Sequence, residues 1–121
     1  MTAKRNFEEV LQSTSESLFP AELGEAKVEI DSTDCDGDTP LHVLIWRGDA
    51  EGAILLIASG APIDAIGDMG ETPLHVAISK NNTKTISALI QAGARTDIVS
   101  KFGETAMEKA AKRGINTKPK T

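Results

Sequence analysis

Between residues 40 and 58, and again between 73 and 91, apolar side chains recur at helical spacing. Leu41, Leu44 and Ile45, then Leu74, Ala77 and Ile78, stand at i, i+3 and i+4, which puts each trio on one face of a helix. A threonine and a proline precede each trio. The threonine hydroxyl can cap the first turn, and proline at the first helical position loses no hydrogen bond because that N–H is unpaired in any helix. Helices are therefore predicted to start at 40 and 73. Nine positions after Thr39, Thr72 and Thr105 come Gly48, Asn81 and Gly114, residue types tolerated in the left-handed conformation that ends a helix. Second apolar helices are predicted over about 50–58 and 83–91, closed by Gly60 and Gly93.

These units are copies of one another. DCDGDTPLH at 34 returns as GDMGETPLH at 67 and, weakened, as SKFGETAME at 100, a spacing of 33 both times. Gly37, Gly70 and Gly103 fall in register, and SGAPID at 59–64 matches AGARTD at 92–97. Turn, helix, helix in 33 residues with a TPLH start resembles the ankyrin repeat, strongly over 34–99 and partly over 100–114. Two features depart from the family pattern. Gly67 and Ser100 stand where the family usually has the aspartate seen at Asp34, and Gly52 lies inside the second helix, where glycine costs roughly 1 kcal/mol relative to alanine. The resemblance implies an all-α, ankyrin-type α-solenoid of stacked helix-turn-helix repeats. Residues 1–33 then form a degenerate N-terminal capping repeat, 34–66 and 67–99 two full repeats, and 100–121 a partial C-terminal capping repeat with its tail. Subtracting 33 puts Asn6 where Thr39 sits, so NFEEVLQ reads as a capped helix with Phe7, Val10 and Leu11 facing the first full repeat, and Ile30 takes the register of Ile63. The third repeat keeps its first helix, 105–113, and gives way to NTKPKT before a second can form; polar ends of this kind shield a solenoid.

At 121 residues the chain suits one domain with one continuous core. The opening MTAKRNFEEV holds no apolar run of secretory length, and AILLIA at 53–58 is far short of the roughly 20 residues of a membrane span, so no membrane association and a cytoplasmic location are expected. A lone Cys35 cannot form an internal disulfide, in keeping with a reducing compartment. Charge is strongly polarised. Residues 29–71 carry ten carboxylates against Arg47 alone, net −9; residues 72–121 carry nine Lys or Arg against three carboxylates, net +6; the first 28 residues carry −2. The acidic half repels nucleic-acid phosphates and steers basic partners toward it.

Asp34, Asp36 and Asp38 raise the question of calcium. A helix-loop-helix calcium site wants glycine at its sixth position and glutamate at its twelfth. Counted from Asp34, glycine falls fourth and the twelfth residue is Ile45, while Pro40 starts a helix where coordination would continue. The repeat preserves glycine and TPLH but not the aspartates, which read as solvated turn residues. His42 and His75 occupy equivalent sites without a Cys or carboxylate at ligand spacing and read as bonded to their own turn's backbone. No Ser, Cys or Thr sits in an activating motif, and no glycine-rich phosphate loop follows a strand. No enzyme, metal, cofactor or small-molecule substrate is expected.

The resemblance implies binding through the turn tips and the outer face of each first helix, which form a concave surface. Position by position this comprises Cys35, Asp36, Asp38, Trp46 and Arg47; then Ile66, Asp68, Met69, Glu71, Ser79 and Lys80; then Val99, Lys101, Phe102, Glu104, Lys112 and Arg113. Met69 and Phe102 share one turn position, and Trp46, the sole tryptophan, lies at a helix position the family exposes. Exposed large apolar side chains ringed by charge compose a binding hot spot; the alternative packs each of them onto a neighbouring repeat. The expected function is non-catalytic binding of a basic protein. No attached enzyme or receptor domain is expected, and the chain is then expected to act by occupying its target, resembling the short bacterial immunity proteins of this family that cover a toxin. A cytosolic adaptor or a subunit of a structural complex is the alternative.

Overall fold

Each threonine of the repeat does what its position predicts. In a computed structural model, which describes residues 6–18 and 27–115, Thr39 Oγ1 accepts the His42 N–H at 3.4 Å while His42 Nδ1 accepts the Thr39 N–H at 3.1 Å. This reciprocal box, usually closed by Glu or Gln, is closed here by histidine. Thr72 and His75 repeat it at the same distances, and Thr105 repeats it with Glu108. The hydrogen bond from the Thr105 N–H holds the Glu108 carboxyl below the usual carboxylate range.

The described residues form seven α-helices, α1 (Phe7–Gln12), α2 (Ser15–Leu18), α3 (Pro40–Arg47), α4 (Ala50–Ala58), α5 (Pro73–Ser79), α6 (Thr83–Gln91) and α7 (Ala106–Arg113), and no strand. The fold is the all-α helix-turn-helix stack read from the repeat. Helices α3, α5 and α7 pack side by side in one layer, with α4 beside α6 in a second. Leu41, Leu44, Ile45, Leu74, Ala77 and Ile78 are completely buried along the seam. Gly48, Asn81 and Gly114 all end first helices with left-handed backbone. Gly52 has a local reason for lacking a side chain. Its N–H donates to the capping carboxylate of Asp49 at 2.9 Å, and a Cβ there would stand 2.8 Å from the second Asp49 oxygen.

Two links made by buried polar side chains then clamp repeat to repeat. Because His42 Nδ1 accepts a backbone N–H, its proton sits on Nε2, which donates to the Glu71 carbonyl at 3.1 Å; His75 does the same to Glu104 at 3.1 Å. The histidines were expected to bond only their own turn, and they also reach the next one. The second link is an ion pair between Glu71 and Lys109, whose side chains are only 8% and 10% exposed.

The N-terminal segment covers the first repeat differently from the register obtained by subtracting 33. Asn6 caps α1 as expected, accepting the Glu9 N–H at 2.8 Å, and Val10 and Leu11 are buried. Yet α1 packs against α4 and α2 against α3, so the two helices meet the layers in crossed order. The physical reason lies in the link. Ser15 stands where Gly48 stands 33 residues on, and instead of a left-handed stop it starts α2, with Ser13 still right-handed at φ −61°. Residues 1–5 and 19–26 of this segment, and the predicted end of the third repeat in NTKPKT, lie outside the described residues. Among those described, no helix is long and apolar enough to cross a membrane.

Candidate protein-binding surface

Three turns lead into α3, α5 and α7, and all close in the same way. Asp34, Gly67 and Ser100 donate their N–H to the carbonyls of Asp38, Glu71 and Glu104 at 2.9–3.0 Å. What differs is the side chain at the first position. Asp34 Oδ1 accepts the N–H groups of Asp36 and Asp38, both at 2.9 Å, and Ser100 Oγ accepts that of Phe102 at 3.2 Å. Gly67 has nothing to offer. In its place Asp38 Oδ1, from the preceding repeat, accepts the Asp68 N–H at 3.0 Å.

That substitution requires a glycine at 67. A Cβ there would stand 2.1 Å from Asp38 Oδ1 and 2.9 Å from His42 Nε2, so any larger residue breaks the link between the turns. Gly37 is held as firmly, with φ +89° and the Ile66 carbonyl oxygen 2.8 Å from where a Cβ would lie. The turns stack closely enough for the Lys101 N–H to donate to the Met69 carbonyl at 2.9 Å. Met69 itself adopts φ 59°, a left-handed conformation that a long side chain takes only where such bonds hold it.

Stacking sets the tip side chains in two registers 33 apart, Ile66 with Val99 and Met69 with Phe102. They are 57%, 59%, 42% and 60% exposed, and Trp46 at the end of α3 is 48% exposed. The packing of Trp46, Met69 and Phe102 into neighbouring repeats is therefore not what occurs. Beside Trp46 a cavity of about 270 Å³ is lined by Asp34, Asp38, Val43, Trp46 and Arg47.

The family model for ankyrin repeats in three copies matches residues 56–118, and that for the single ankyrin repeat matches 36–68. The chain belongs to the ankyrin-repeat family. No curated protein matches it. Ankyrin arrays are protein-interaction modules and generally non-catalytic.

Within this ankyrin array the expected contact residues differ in their surroundings. Cys35, Asp36, Ile66, Asp68, Met69, Val99, Lys101 and Phe102 are exposed at the turns, while Asp38, Ser79 and Glu104 are half-buried. The basic residues at the helix ends are exposed but engaged along the stack. Arg47 donates to the Ser13 carbonyl at 2.8 Å and Arg113 to the Ser79 carbonyl at 3.5 Å, each reaching back 34 residues. Between them Lys80 Nζ lies 5.5 Å from the centroid of the Trp46 ring, and Lys112 pairs with Glu104 at 3.0 Å. Glu71 does not reach the surface at all: it is 6% exposed, with its carboxylate on Lys109 and its carbonyl on His42. Its position in the turn suggested a surface charge. The missed signal is Lys109, which takes the register of Val43 and Val76, both buried, so a cation stands where two repeats have valine.

Two of the three aspartates of the first turn likewise have partners in the backbone, Asp34 in its own turn and Asp38 in the next. Adding calcium is expected to leave the melting temperature unchanged. A saturable rise of several degrees, which linkage demands of a real site, would overturn the reading of these carboxylates as turn acceptors.

Proposed function

We propose that this ankyrin array binds a basic protein and inhibits it by covering it, in the manner of an immunity protein on a toxin. The row of apolar side chains at the turn tips carries the reading: Ile66, Met69, Val99 and Phe102 stand exposed, as do Asp36 and Asp68 on the first two turns. The area these side chains leave in water contributes nothing to the fold, whereas burying that remaining half against a partner contributes roughly 1 kcal/mol each. The net −9 over residues 29–71 supplies the attraction for a positive partner. A surface held by backbone bonds loses little freedom on docking and blocks what lies beneath it without any chemistry. Among large apolar side chains of the described residues only Ile54 is exposed on an outer helix, so one partner is favoured over the two an adaptor joins. The exposed thiol of Cys35 fits the reducing cytoplasm.

Affinity capture from the cells of origin tests this. A basic protein should be retained by the wild type and lost with Met69→Ser/Phe102→Ser, which removes about 2 kcal/mol or more of hot-spot burial. Asp36→Lys/Asp68→Lys should slow association and flatten its salt dependence, with less effect on dissociation. Retention of an acidic protein, or indifference to both variants, would refute the proposal.

A further inference from the structure

We infer that the recess beside Trp46 receives an arginine side chain of the partner. This rests on the partner being basic and adds the place where its charge is held. Besides Arg47, whose guanidinium donates to Ser13, the 270 Å³ recess is walled by two chemistries, the indole of Trp46 with Val43 and the carboxylates of Asp34 and Asp38. A guanidinium matches both at once: its flat face stacks on indole while its fork of N–H groups meets a carboxylate edge-on. A lysine ammonium would find the charge but leave the aromatic wall without a planar partner.

The walls are fixed in place before any ligand arrives. Asp34 and Asp38 each present Oδ1 to backbone N–H groups, contacts that orient the carboxylates without cancelling their charge. Burial lowers the pKa of His42, and the charges of Asp38 and Asp34 offset part of that lowering. The Arg47 side chain on the cavity wall donates from Nη1 and Nη2 to Ser13. Trp46 already attracts one cation, since Lys80 Nζ lies 5.5 Å from its centroid, and Lys80 is not among the described residues lining the cavity.

The only tryptophan of the chain makes the recess its own reporter. On titration with a short oligoarginine peptide, Trp46 emission should change saturably, and calorimetry should give an affinity about tenfold above that of an oligolysine of equal length. Asp34→Asn/Asp38→Asn keeps the Oδ1 acceptors of both turns, with a thermal melt to confirm the fold. It should weaken oligoarginine binding about tenfold and abolish the preference over oligolysine. Trp46→Leu, read by calorimetry, should do the same. Equal binding of the two peptides, or oligoarginine binding untouched by these variants, would overturn the arginine recess while leaving a basic partner in place. Failure of both peptides to bind the wild type at low salt would overturn the recess and the basic partner together.

Discussion

Replacing Lys109 with methionine is expected to destabilise the fold by about 3 kcal/mol, because it leaves the carboxylate of Glu71 buried without its cation. Methionine keeps the length of the lysine stem, so packing against α5 is largely preserved and the loss reports the charge. For a domain of this size that corresponds to a fall in Tm on the order of 10 °C. Glu71→Leu/Lys109→Met should recover most of the loss, since removing both charges removes the cost of desolvating either. Chemical denaturation of the three proteins checks both statements. A Lys109→Met variant as stable as the wild type would mean that the pair, despite side chains only 8% and 10% exposed, is solvated in practice.

His42→Ala should cost a comparable amount, about 3 kcal/mol, by opening a cavity at a completely buried ring and leaving the capping N–H of Thr39 without an acceptor. Glutamine at the same place can close the cap, as it does in the usual capping box, and carries no titratable ring, so His42→Gln isolates the proton binding of the histidine. The histidine also makes stability depend on pH. Burial pushes its pKa below the ordinary value of about 6.5, partly offset by the Glu71 carbonyl and the carboxylates of Asp38 and Asp34. With the folded value lowered, the unfolded chain takes up the proton first. The contribution is complete above about pH 6.5 and is lost as pH falls from there toward the folded value. Unfolding free energies at about pH 7.5 and about pH 5.5 should differ more for the wild type than for His42→Gln. An equal difference in both would remove His42 as the source.

Helix starts and stops were legible because each rests on local chemistry: a threonine hydroxyl, a proline ring, a glycine or asparagine able to turn left-handed. The exposure of Trp46, Met69 and Phe102 was legible as one of two alternatives, and only packing decided between them. What the sequence hid were interactions between residues far apart in the chain. Nothing near His42 announces a bond 29 residues on, and nothing near Glu71 announces Lys109. The crossed order of α1 and α2 was hidden for another reason: a missing left-handed stop at Ser15 says that the chain departs from the repeat without saying where it goes. Asp34 was dismissed with the calcium loop, and its place on the wall of the recess emerged only once Trp46 was set beside it.

The second turn has no side-chain latch of its own and borrows Asp38 from the turn before it. The help runs one way along the chain, from a residue made earlier to a segment made later. On a ribosome the lender emerges thirty residues ahead of the Asp68 amide that needs it. In a circular permutant opened between the two turns the borrower would be synthesised before its lender.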